Sequence, residues 1–118
     1  MTAAGFSAAA PDAALAALFV PFESSELRLP ADGRVLFLRA RAGVRLREVA
    51  QPGWLCEQGF MPFADELARN GLRVGEPAAD EVFPLVLVLP PRQRDEARAL
   101  FARALLHTAP GGTVLAAM

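Results

Sequence analysis

The residues of this chain that could do chemistry are few and form no catalytic set. The one histidine, His107, lies near a predicted helix end, where the helix dipole stabilises a partly charged imidazole. No Ser, Cys or carboxylate is spaced to pair with it in a general-base motif. The one cysteine, Cys56, lies in an apolar run typical of an inert core residue. Metal-ligand spacing and a nucleophile elbow do not occur, so we predict no catalytic residue and no metal site.

A nucleotide-type cofactor would bind the loop after the first predicted strand, and this loop is poor in glycine. Residues 39–43 are Arg-Ala-Arg-Ala-Gly. Several glycines would be needed for backbone amides to approach such a cofactor closely. Side chains at Ala40 and Ala42 and the two arginines are expected to fill that space. We therefore expect no cofactor in this chain, and Gly43 is the one candidate for cofactor contact in the loop.

Two further loops follow predicted strands. Glu57 is placed where an acid could accept hydrogen bonds from ribose hydroxyls in such a fold. Because charged side chains are mostly exposed, a solvated surface carboxylate is the simpler interpretation. Leu89-Pro90-Pro91-Arg92 could be a rigid turn facing a substrate or a pair of prolines that ends a strand, and sequence alone favours the second interpretation.

Arginines supply the one local excess of charge. Twelve basic residues balance thirteen acids, so the chain has no bulk attraction to polyanions. The cluster comprises Arg39, Arg41, Arg45 and Arg47, with Arg34 upstream, and guanidinium groups suit phosphates. No aromatic residue is interleaved to stack on bases. A solvated loop is favoured by the residues, and RNA contact stays open as the alternative.

Apolar runs predict the strands that must position these residues. Most lack polar alternation, which is typical of strands buried on both faces. The predicted strands are Val35 to Leu38, Trp54 to Phe60, Leu72 to Val74, Val82 to Leu89 and Thr113 to Ala117, the last after a break at residues 109–112.

Helices are predicted between the strands. The first begins at Pro11 and Asp12 and ends by Pro21, and its body, Ala13 to Val20, is apolar nearly all round. The second runs from Pro62 to Asn70-Gly71, and the stretch Val44 to Val49 is either helical or extended. The third spans Gln93 to Thr108, with helical spacing of Ala97, Leu100, Phe101, Ala104, Leu105 and Thr108.

Alternating strands and helices predict an α/β, Rossmann-like three-layer sandwich with a mostly parallel sheet. We expect one domain over residues 11–118 after a flexible N-terminus of residues 1–10. The lone cysteine agrees with a reducing compartment. No apolar run reaches the roughly twenty residues needed to cross a bilayer, so we expect a cytoplasmic protein without a membrane partner. The apolar helix Ala13 to Val20 is a candidate homodimer contact.

In the second half of the chain a strand ends in Leu89-Pro90-Pro91, a helix follows, and a Pro-Gly-Gly turn at residues 110–112 leads to Thr113-Val114-Leu115. In this order of elements it resembles a class I S-adenosylmethionine-dependent methyltransferase. Together with the degenerate loop, this is similar to the N-terminal copy in bacterial small-subunit ribosomal-RNA guanine-N2 methyltransferases, a copy that has lost its cofactor site. The strand Val35 to Leu38, the Trp54 region and the helix end at residues 65–71 also match.

The resemblance implies a C-terminal catalytic methyltransferase domain as partner, with S-adenosylmethionine as that domain's cofactor. This chain would then support the catalytic domain and help to position ribosomal RNA. In that case the Arg34 to Arg47 group would contact the RNA. Leu89 stands where the family has Asn, and Arg92 where it has an aromatic, so base flipping of the usual type is not expected here. The stop at Met118, directly after a strand, suggests an excised domain.

Two other functions remain open on the sequence. A complete minimal methyltransferase would have to bind its cofactor unusually, using Gly43 and Glu57. An oligomerisation or scaffold module would use the apolar helix Ala13 to Val20.

Overall fold

The computed structural model describes residues 13–24 and 27–117. The predicted flexible N-terminus and the helix start at Pro11 and Asp12 lie outside these residues. In chain order the elements are α1 (residues 13–18), α2 (Val20–Glu23), β1 (Val35–Leu38), α3 (Val44–Val49), β2 (Trp54–Glu57), α4 (Met61–Arg69), β3 (Phe83–Val88), α5 (Arg94–Leu106) and β4 (Thr108–Ala116).

The four strands form one parallel sheet in the order β2-β1-β3-β4. Val35 of β1 aligns with Trp54 on one side and with Leu85 on the other. From β1 the chain continues to one side of the sheet, and from β3 it continues to the other. The carboxyl ends of β1 and β3 therefore flank the topological switch point, where such sheets bind ligands. The predicted α/β, Rossmann-like fold with a parallel sheet is confirmed.

Helices cover both faces of the sheet and complete three layers. The four-residue strand β1 is fully buried because each face has its own cover. On one face Val35 and Phe37 pack with residues of α1, α3 and α4, namely Leu15, Leu18, Leu46 and Leu67. On the other face Leu36 and Leu38 pack with residues of α5, namely Leu100, Phe101 and Ala104.

The first helix is less uniform than its composition predicts. Leu15 and Leu18 face the core, and Ala16, Ala17 and Val20 face outward. Pro21 does not end helical structure, because it occupies the first turn of α2, where a missing N–H costs nothing. Part of the apolar surface expected to contact a partner is thus used in the chain's own core. A homodimer through this helix stays a prediction, with only the outward residues available.

The strands depart from prediction at the sheet margins. β4 begins at Thr108 and continues through Pro110 and the two glycines, where a break was predicted. A register irregularity between Phe83 and Leu85 accommodates this stretch, and within the described residues β4 pairs with β3 alone, so Pro110 needs no N–H for a second neighbour. The predicted strand Leu72 to Val74 is reduced to one bridge, from Val74 to Cys56.

Helix boundaries follow the predicted signals closely. The stretch left open between helix and extended structure is helix α3. α4 has Pro62 in its first turn and ends before Gly71, whose φ of 82° is readily adopted by glycine. α5 begins after Gln93, whose side chain accepts a hydrogen bond from the Glu96 amide. Leu105, predicted to face the core, is instead 68% exposed.

No helix in the described parts of the chain has the length and apolar character to cross a membrane.

The exposure of Leu105 gives a direct test of the layer arrangement. Leu105→Gln should change the free energy of unfolding by no more than about 0.5 kcal/mol, because the side chain already contacts water. Leu87→Ala should cost about 2–5 kcal/mol, because Leu87 is fully buried. Urea denaturation measures both values. A loss at Leu105 as large as that at Leu87 would contradict the position of α5.

Candidate functional site

The loop after β1 is held firmly at the carboxyl edge of the sheet. Arg39 has a φ of 56°, an uncommon left-handed conformation for a residue other than glycine. Ala40 is fully buried; its amide donates to the Glu57 carbonyl over 3.1 Å, and its carbonyl accepts from Nε2 of Gln58 over 2.8 Å. These bonds tie the end of β1 to the end of β2. The loop is thus a fixed part of the core at Ala40.

Gly43, the candidate for cofactor contact, is partly exposed, and α1 packs against the side of it that a Cβ atom would occupy. A Cβ atom at this position would lie 2.3 Å from Cδ2 of Leu15, which is itself buried. The φ of Gly43 is −174°, an extended conformation open to any residue. Glycine is therefore needed here for space and not for its backbone freedom. The covering side chain comes from Leu15, whereas the sequence predicted that Ala40, Ala42 and the arginines would fill this region.

Glu57 forms a bidentate ion pair with Arg103 of α5. The carboxylate accepts from Nη1 through Oε2 and from Nη2 through Oε1, the latter over 2.8 Å. The Glu57 side chain is only 17% exposed, so the expectation of a solvated surface carboxylate is wrong. The hydrogen bond to Glu57 raises the pKa of Arg103. A ribose hydroxyl would have to compete with this guanidinium for both oxygens.

Arg34 lies at the opposite end of β1 from the other arginines and serves the fold. Its Nη1 donates to the Val82 carbonyl over 2.8 Å, and Nη2 lies 3.1 Å from Oε2 of Glu81. Its Cζ lies 4.6 Å from the centroid of the Phe83 ring. This side chain fastens the loop before β3 and is separated from the rest of the arginine group.

The arginines of α3 also differ from one another. Arg45 is paired with Glu23 at 2.9 Å and with Glu48 at 3.3 Å, so its charge is balanced. Arg47 is exposed and has no ion pair within the described residues. The predicted RNA-binding group is therefore divided, and Arg39, Arg41 and Arg47 keep guanidinium groups without acidic partners among these residues.

The structure brings Arg41 together with aromatic side chains of α4 and the residue before it. Its Cζ lies 3.6 Å from the centroid of the Phe63 ring. Phe60 meets Phe63 edge to face, with centroids 4.7 Å apart and an angle of 73° between the rings. Phe60 and Met61 are 55% and 65% exposed. We call these four residues, Arg41, Phe60, Met61 and Phe63, the aromatic patch.

The aromatic patch was missed because the arginines and the phenylalanines are about twenty positions apart in the sequence. Parallel strands bring their carboxyl ends to one edge, so the loops after β1 and β2 become neighbours. Phe60 and Phe63, three positions apart where α4 begins, were the available signal.

Cys56 and His107 take structural positions. Cys56 is fully buried, and burial raises the pKa of its thiol to about 12, far from the range in which a nucleophilic thiolate forms near neutral pH. His107 caps α5, and its Nδ1 donates to the Glu81 carbonyl over 2.7 Å, since a carbonyl can only accept. Both side chains are engaged in packing or in fastening loops.

The Leu89-to-Arg92 turn begins inside the hydrogen-bonded sheet, and the chain leaves the sheet after Leu89. The Leu89 amide donates to the Leu38 carbonyl over 3.3 Å, and Leu89 is buried. Arg92 is exposed. This is the geometry of a strand end, which the sequence favoured over a substrate-facing turn.

Within residues 13–24 and 27–117, no group of three or more His, Cys, Asp or Glu side chains is arranged to hold a metal ion. Comparison with protein-family models, with curated proteins and with solved structures finds no match for this chain.

The Glu57–Arg103 ion pair can be measured by a double-mutant cycle. Glu57→Gln, Arg103→Gln and the double variant should show a coupling energy of about 1 kcal/mol, since the pair is bidentate but partly exposed. Urea denaturation at low and high salt supplies the values. A coupling energy of zero would mean that Glu57 is free to bind another group.

Proposed function

We propose that this chain is a non-catalytic Rossmann-like domain of an S-adenosylmethionine-dependent ribosomal-RNA guanine-N2 methyltransferase. In this role it supports the catalytic domain and helps to position RNA. The observation that carries the proposal is the contact between Leu15 and Gly43, in which a core side chain occupies one side of the loop after β1 where a cofactor would approach. The proposal sets the protein in the cytoplasm, which agrees with its single, buried thiol.

The alternative of a complete minimal methyltransferase is less well supported. It relies on Gly43 and Glu57 to hold the cofactor. Leu15 packs against one side of Gly43, and both carboxylate oxygens of Glu57 accept hydrogen bonds from Arg103. A cofactor would have to displace both side chains, losing core packing and an ion pair at the same time.

Support for a docked catalytic domain comes from the β4 side of the molecule. Among the described residues β4 has a neighbour on one side only, so its outer edge presents backbone groups that a further strand or domain would cover. Leu105 and Leu106 on α5 are both about two-thirds exposed. Large apolar side chains beside an open sheet edge are typical of a surface that another domain covers.

The proposal is tested by titrating S-adenosylmethionine into the purified chain in a calorimeter. We expect no binding heat at concentrations that saturate ordinary methyltransferases, because Leu15 packs against Gly43 and the loop has no other glycine. A companion assay with a radiolabelled methyl donor and small-subunit ribosomal RNA should show no transfer. Far-ultraviolet circular dichroism of the same sample establishes that the chain is folded. A micromolar dissociation constant, or methyl transfer by this chain alone, would contradict the proposal.

A further inference from the structure

We propose that the aromatic patch is a stacking site for an unpaired RNA base, with Arg39 and Arg41 contacting the adjoining phosphates. This inference rests on the proposed role in RNA positioning for the identity of its ligand. To that role it adds the site of contact, which is the aromatic patch, the chemical group recognised, which is an unpaired base, and the mode of contact, which is stacking.

The patch offers flat surfaces of the kind on which bases stack. The Phe60 ring is more than half exposed and is held at a defined angle by its edge-to-face contact with Phe63. The Arg41 guanidinium lies over the Phe63 ring, with Cζ 3.6 Å from its centroid. Aromatic rings and guanidinium planes are both used to stack unpaired bases.

Charge favours a nucleic acid over an apolar protein segment. Neither Arg39 nor Arg41 forms an ion pair with any described residue. The unneutralised Arg41 guanidinium on Phe63, next to the exposed Phe60 ring, matches the two parts of a nucleotide, a phosphate and a base, and Arg39 two positions earlier carries a second unneutralised guanidinium group.

The patch is built on a fixed support. Gln58 donates to the Ala40 carbonyl and accepts from the Phe60 amide over 2.9 Å, which joins the loop of Arg39 and Arg41 to the start of α4. Pro62 restrains the first turn of this helix. The rings and guanidinium groups are thus positioned before a ligand arrives, which lowers the entropic cost of binding.

The test uses a short single-stranded RNA that carries a fluorescent adenine analogue, whose emission falls when it stacks on a ring. Affinity is measured by anisotropy. Phe60→Leu keeps an apolar side chain but removes the π surface, and it should weaken binding about 5- to 100-fold and abolish the quenching. Phe101→Leu, the same change on the opposite face of the sheet, is the matched control and should leave affinity unchanged.

The salt dependence of RNA binding distinguishes the role of Arg39 from that of Arg41. Arg39→Gln should lower the slope of log affinity against log salt by roughly one phosphate contact. Arg41→Lys keeps the charge and should leave the slope unchanged, while affinity falls about 3- to 10-fold because a lysine cannot stack as a plane. Thermal unfolding of each variant confirms that it is folded.

Two results would overturn this inference. One is equal RNA affinity for Phe60→Leu and the unsubstituted chain. The other is absence of RNA binding by the unsubstituted chain, in which case the aromatic patch is a protein contact. Absence of RNA binding would also remove the RNA-positioning part of the proposed function, whereas equal affinity for Phe60→Leu removes the stacking site alone. The cofactor titration tests the non-catalytic part separately from both.

Discussion

The contact of Leu15 with the Gly43 backbone determines how the carboxyl edge of this sheet is used. An N-terminal helix lies against the loop where a Rossmann-like fold would admit a nucleotide, and one leucine side chain occupies the space of the absent Cβ. Any larger residue at position 43 would have to displace Leu15 from the core. The loop has a glycine at position 43, and the packing of Leu15 against it accounts for this residue.

Because Leu15 packs against the loop after β1, the side chains that could bind a ligand at this edge are those near the ends of the neighbouring strands. The loop after β1 sends Arg41 sideways onto Phe63, and Gln58 fastens this loop to the segment that follows β2. Glu57, the last residue of β2, forms an ion pair with Arg103 of α5. This edge of the sheet presents the Phe60 ring and the Arg41 guanidinium, the groups on which the proposed RNA site rests.

Much of the fold could be predicted from the sequence, because apolar runs and turn residues mark β1, β3, α4 and α5 directly. Contacts between distant segments could not be predicted. Helical spacing places Leu105 on an apolar face but does not show that this part of α5 is uncovered. The glycine-poor loop predicts that side chains crowd this region, yet the residue that packs against Gly43 belongs to α1, whose place on the sheet has no signal in the sequence.

The most direct test of the closed loop is a double-mutant cycle on Leu15 and Gly43, read as free energies of unfolding in urea. Gly43→Ala should destabilise the native chain by about 1–3 kcal/mol through overpacking. It should cost little when Leu15→Ala is already present, and Gly59→Ala, with no atom within 4 Å of its Cβ, is the control for adding a methyl group. Additive effects of the two substitutions would contradict the account, because Leu15 would then not occupy the space beside Gly43.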